Sequence, residues 1–234
     1  MGAVGPVGSD DPYVVLAAAA AGWDQVAGRL GEDTRARLAA LLAVVRDPER
    51  ESPVRAAAAD EAAGLLRERL SEELGTAAQA RLVAVPAVPG GHPMVQGFAP
   101  EDLAVLLMDG HRMVGPVLGP VRERLLAEPA RDAETLLRHG GAPFSPDLIR
   151  LPGVGGRLQL PSFQFAEDTL PWLIVLEVYA LLAADRDPWG AADWWLSVNS
   201  WLGTSPSRLL GTGRDLQLAE TARLLVEDVW MGGG

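Results

Sequence analysis

The sequence predicts a mainly α protein, with an N-terminal helical bundle plus a C-terminal helical domain carrying one small β-hairpin. Three observations carry that reading. Long stretches are built from Ala, Leu, Glu and Arg, all good helix formers. Helix-start pairs stand at Asp11-Pro12, Ser52-Pro53 and Asp187-Pro188, each with a capping residue followed by the imino acid favoured at the first helical position. Only one pair of short apolar runs brackets a Gly-rich turn. The chain has 234 residues, enough to bury a substantial core in one large or two small domains.

Residues 1–10 are Gly-rich and read as a disordered N-terminus. An N-terminal bundle is expected over 11–82. Its first helix starts at Asp11-Pro12, its second covers about 32–46, and its third starts at Ser52-Pro53 and runs to about 74. Residues 83–99 hold Pro86, Pro89, Gly90, Gly91, Pro93 and Gly97, so they read as a linker or long loop. Residues 100–161 read as helices over about 100–108, 116 or 120 to 127, and 131–139. The hairpin follows, with runs 148–151 and 157–160 around Gly153, Gly155 and Gly156. It is the expected sole sheet. These glycines make no phosphate loop, because no long strand precedes them and no capped helix follows.

Residues 162–231 are helical again. The stretch 171–184 is apolar nearly all round and is expected to be a central buried helix. Glu177 is its one charge, and a rim position or an arginine partner is its expected role rather than catalysis. Asp187-Pro188 starts the next helix, on which Trp189, Ala192, Trp195 and Leu196 share one face. Trp194 falls opposite, so it is either covered by another part of the chain or open to a partner. A last helix over about 214–230 carries the apolar stripe Leu218, Ala219, Ala222, Leu225, Val226, Val229 and Trp230.

Composition excludes several functions. The formal net charge is -11, and arginine is the only basic residue besides three histidines. That balance opposes broad electrostatic binding to nucleic acid. Cysteine is absent, which removes disulfides, thiol catalysis and Cys-based zinc sites. His92, His111 and His139 sit beside Gly, Pro or turn residues with no second ligand one helical turn away. Asp185, Asp187 and Asp193 lack the spacing of a calcium loop. No nucleophile elbow and no Walker loop occur. The expectation is a non-enzymatic, cytoplasmic protein with no cofactor, no metal and no membrane segment.

Leu160-Pro161-Ser162-Phe163-Gln164-Phe165 is followed by the apolar helix, Asp187-Pro188-Trp189, Trp195-Leu196, Asn199, Leu202-Gly203-Thr204-Ser205-Pro206 and Leu209-Leu210. In this order, residues 158–225 resemble the Xre/MbcA/ParS-type toxin-binding domain of antitoxins. The loop departs from the family's Gly-Gly-Arg-Ser-Pro by a glycine and an arginine, and Arg208 is the nearest substitute. The resemblance implies a partner binder that neutralises a toxin, commonly one with a RES domain that consumes NAD. It implies partner-binding roles for Trp194, Asn199, Trp201, Leu202, Arg208 and Trp230. The alternatives are a DNA-binding transcriptional regulator with a degenerate helix-turn-helix in 100–161, and a scaffolding or assembly protein that reuses the domain. Homo-oligomerisation fits each of them.

Overall fold

The computed structural model describes residues 11–79, 84–85, 92–153 and 156–231, without the side chains of 70–85 and 228–231. The expected disordered N-terminus, most of the Pro/Gly stretch 83–91 and the side chain of Trp230 lie outside that description. The protein is mainly helical with a small antiparallel sheet. It divides into two compact units, Met1–Pro120 and Val121–Gly234.

In the first unit, α1 (Pro12–Ala21) begins as its sequence dictates. The Asp11 carboxylate accepts the Tyr13 backbone N–H at 2.9 Å, and Pro12 occupies the first turn. The helix is apolar on every side and is buried accordingly. After the short α2 (Trp23–Val26) come α3 (Glu32–Arg46) and α4 (Ser52–Gln79), which pack on one another. α1 also packs against α4. The stripe Leu38, Leu42 and Val45 on α3 meets a row of small residues on α4, Ala58, Ala59, Ala62 and Ala63, ending in Leu66. Small side chains let the helices approach closely, so much of this core is alanine.

Two short strands, β1 (Ala84–Val85) and β2 (Met94–Val95), pair antiparallel, so the hairpin further along the chain is not the sole sheet. Then α5 (Pro100–Ala104) runs into a π-helical turn, Val105–Asp109, closed by left-handed Gly110. The buried Asp102 carboxylate accepts N–H groups from Ala99 (3.0 Å) and Gly115 (3.3 Å), which pins two loops to one side chain. Gly115 itself has φ +76°, and a β-carbon there would lie 2.7 Å from the Phe98 ring. Asp109 makes a bidentate ion pair with Arg46 at 2.9 and 3.1 Å, with side chains 5% and 11% exposed. It anchors the π turn to the last turn of α3.

The second unit contains the rest of α6 (Gly115–Ala127) and a three-stranded antiparallel sheet in the order β3 (Ala130–Asp132), β5 (Leu158–Pro161), β4 (Leu151–Pro152). Arg131 faces Leu160, and Leu151 faces Gln159. Three expectations change here. The hairpin gains β3, from a segment expected to open a helix. Asp132 instead caps α7 (Ala133–Arg138) by accepting the Thr135 N–H at 2.7 Å, so the helix starts later. Residues 148–150 are not strand, because the Gln164 side chain occupies both backbone groups of Ile149. The helix expected over 171–184 is shorter, α8 (Leu173–Leu181), and is not buried all round, since Leu173 is 84% exposed. Pro171 and Trp172 precede it in extended backbone, and Ala183 ends it with φ +49°.

The remaining helices are α9 (Pro188–Leu196) and α10 (Asp215–Met231), and α10 packs against α8. Leu218, Ala219 and Ala222 are buried on α10, as its stripe requires. Glu177 of α8 pairs with Arg223 of α10 at the surface, the arginine partner its position suggested.

The centre of this unit is Gln164, which is fully buried. Its Oε1 accepts the Ile149 N–H at 2.7 Å. Its Nε2 donates to the carbonyls of Ile149 (3.0 Å) and Pro161 (3.2 Å), and its own carbonyl accepts the Trp172 N–H at 2.9 Å. Gln164→Leu strands the Ile149 N–H and carbonyl in the core, at about 1–3 kcal/mol for each buried group left unpaired. Urea denaturation is expected to show a loss of about 3 kcal/mol. In the first unit, Asp109→Ala leaves the buried Arg46 charge uncompensated and is expected to cost about 3–5 kcal/mol in the same measurement.

Candidate functional site

The Asp187 carboxylate makes α9 possible by accepting the Gly190 N–H at 2.8 Å. A β-carbon at 190 would meet the capping carboxylate, so a larger residue there displaces the cap. From this start the 3.6-residue period sets the faces. Trp189, Ala192 and Trp195 point into the core, with Phe163 stacked at a tilt 5.4 Å from Trp195. Trp194, on the other side, is half-buried and meets Trp195 edge to face at 5.0 Å. The indole N–H groups of both are buried without an acceptor among the described residues.

Trp194 forms part of a groove of about 440 Å³ between α9, the end of α8 and α10. Leu181, Leu182, Ala191, Leu225 and Val226 supply its apolar lining. Arg186 and Asp187 line it as well and are exposed, so they form its edge. Thus the apolar stripe of α10 is divided. Its first half is core, and Leu225 and Val226 wall the groove.

Beyond α9 the chain makes a tight turn. Asn199 donates its N–H to the Thr204 carbonyl at 3.0 Å, and its carbonyl accepts the Gly203 N–H at 2.8 Å. Its side-chain oxygen accepts the N–H groups of Trp201 (2.9 Å) and Leu202 (3.2 Å). An Asn side chain that mimics a turn of backbone in this way is a local device. Leu202 is buried and ties the turn to the core. Trp201 stands out at 54% exposed, and Val198 at 79%. At the turn's base, the Ser197 hydroxyl donates to Asp193 at 2.8 Å, and Arg124 reaches both.

The structure therefore brings Asn199, Trp201 and Leu202 into one turn, with Asn199 and Leu202 holding it and Trp201 displayed. Trp194 belongs to the groove. Arg208 is exposed on the 3-10 turn Pro206–Leu209 and makes no ion pair among the described residues. The groove residues Leu181 and Leu182 carried no signal in the sequence, because α8 is apolar nearly all round and no periodicity marks which of its residues stay uncovered, and Arg186 lies in the turn beyond it.

Two titrating groups of this unit have displaced pKa values. Hydrogen bonds from Thr135 hold the Asp132 carboxyl below its ordinary range, and burial raises the Tyr179 hydroxyl. Neither lines the groove. Among the described residues, no group of three or more His, Asp or Glu could hold a metal ion, and no helix is long and apolar enough to cross a membrane. No protein-family model, no curated protein and no solved structure matches the chain.

The two parts of the turn separate by mutation. Asn199→Ala strands two backbone donors and is expected to lower stability by about 1–2 kcal/mol. Trp201→Ala is expected to change it by no more than about 0.5 kcal/mol, as for other exposed positions. Urea denaturation of both variants checks the pair of values.

Proposed function

We propose that the protein works by binding another protein, as an antitoxin-like neutraliser of a partner toxin, with the turn around Trp201 as its principal contact. The observation that carries this reading is an exposed Trp on a turn fixed by four hydrogen bonds and a buried Leu. A monomer gains nothing from holding a large apolar ring rigidly in water. An interface does, because Trp is enriched among the few residues that dominate binding energy, and a preordered anchor loses little entropy on docking. Val198, three residues earlier, is a second exposed apolar side chain at this turn.

The charge also favours a defined class of partner. A formal charge of -11 speeds encounter with a basic protein and disfavours acidic ones. The same charge opposes nucleic-acid binding. The motif order over residues 158–225 supports the antitoxin form of this reading, including an Arg-lined nucleotide pocket on a RES-type toxin as the surface to be covered.

The test is co-purification from the native host with an N-terminal tag, then expression of the recovered partner alone and with this chain. A stoichiometric partner that is toxic alone and harmless in co-expression is expected. Trp201→Asp should weaken the complex at least about 30-fold, the effect of a binding hot spot, while the melting temperature stays the same. Recovery of an equally tight complex with the Trp201→Asp variant would remove the turn from the interface. Tight, salt-dependent binding to duplex DNA with no protein partner would replace this reading by the regulator.

A further inference from the structure

We propose that the groove beside Trp194 is a separate binding site for a small apolar zwitterion of the amino-acid class. It does not depend on the protein-docking reading. At about 440 Å³ the groove falls within the range of small-ligand sites. Leu181, Leu182, Trp194, Leu225 and Val226 present only apolar groups and one aromatic ring to a side chain of similar character.

Its edge carries one charge of each sign on adjacent residues, and the two do not pair. Arg186 makes no ion pair among the described residues, with Asp187 or any other. Asp187 uses Oδ1 to cap α9, and its second oxygen accepts no hydrogen bond among the described residues. The two residues share one backbone acceptor. The N–H groups of Arg186 (2.9 Å) and Asp187 (3.3 Å) donate to the carbonyl of Ala183. Ala183 also lines the groove, and its φ of +49° is one an L-residue adopts only against a steric cost. Such strain is retained where the surrounding structure holds a site in shape.

A ligand that satisfies this edge needs a carboxylate for Arg186 and an ammonium for Asp187, joined by a short link to an apolar body. An amino acid with a large apolar side chain has that form. A lone carboxylate would meet the repulsion of Asp187, and a lone amine that of Arg186, so each charge excludes the single-charge competitor.

The experiment is isothermal titration of the full chain with L-phenylalanine, hydrocinnamate, phenethylamine and glycine. Saturable binding of one L-phenylalanine per chain is expected at millimolar concentration or below. The two single-charge analogues should bind at least about tenfold more weakly, the scale of one lost charged hydrogen bond, and glycine should not bind. Arg186→Gln and Asp187→Asn should each weaken L-phenylalanine by a similar factor. Asn is as good a helix cap as Asp, so the second variant keeps α9 intact, and an unchanged melting temperature verifies this. The proposal is overturned if L-phenylalanine fails to saturate, if hydrocinnamate or phenethylamine binds equally well, or if neither variant alters binding.

Discussion

One buried amide organises the second unit. Gln164 closes a two-way bond with the backbone of Ile149, as a neighbouring strand would, and also reaches the end of β5 through the Pro161 carbonyl. Its own carbonyl fixes Trp172, just before α8. Sheet end, loop and helix start thus converge on one residue. In a dry core a satisfied polar junction of this kind is rigid, because each group would be costly to leave unpaired. Ile149 has no strand partner among the described residues, and Gln164 bonds both of its backbone groups instead.

The rest of the site inherits this order. Phe163, next to Gln164, packs on Trp195, and Trp195 fixes the rotation of α9. With Trp189 and Trp195 committed to the core, Trp194 has to face the groove. The turn that follows is set by Asn199 and anchored by Leu202, and Trp201 stands out from it. Display of one aromatic ring and partial cover of another are consequences of where the core tryptophans go.

Much of this was legible because it is local. Asp11-Pro12 and Asp187-Pro188 start helices through caps that involve neighbouring residues, and the split between Trp194 and Trp195 follows from 100° per residue. The features that were not legible depend on distant partners. Nothing local in the sequence links Asp109 to Arg46, 63 positions away, which meets it in the folded chain. Ala130–Asp132 has no strand propensity, and its place at the edge of the sheet comes from pairing with β5. The Phe-Gln-Phe sequence was conspicuous, but its meaning lay in Ile149, 15 positions earlier. Among the candidate contacts, Asn199 could be marked by sequence but not assigned its structural task, because an Asn side chain serves a turn or a partner with the same atoms.

The most direct measurement is native-state hydrogen exchange at the Ile149 amide, compared with the central amides of α8. If Gln164 is the junction on which this unit depends, the Ile149 amide exchanges only through global unfolding. It then shows the same opening free energy and the same dependence on denaturant as Val178. Exchange of Ile149 through a local opening, with little sensitivity to denaturant while α8 remains protected, would contradict the account.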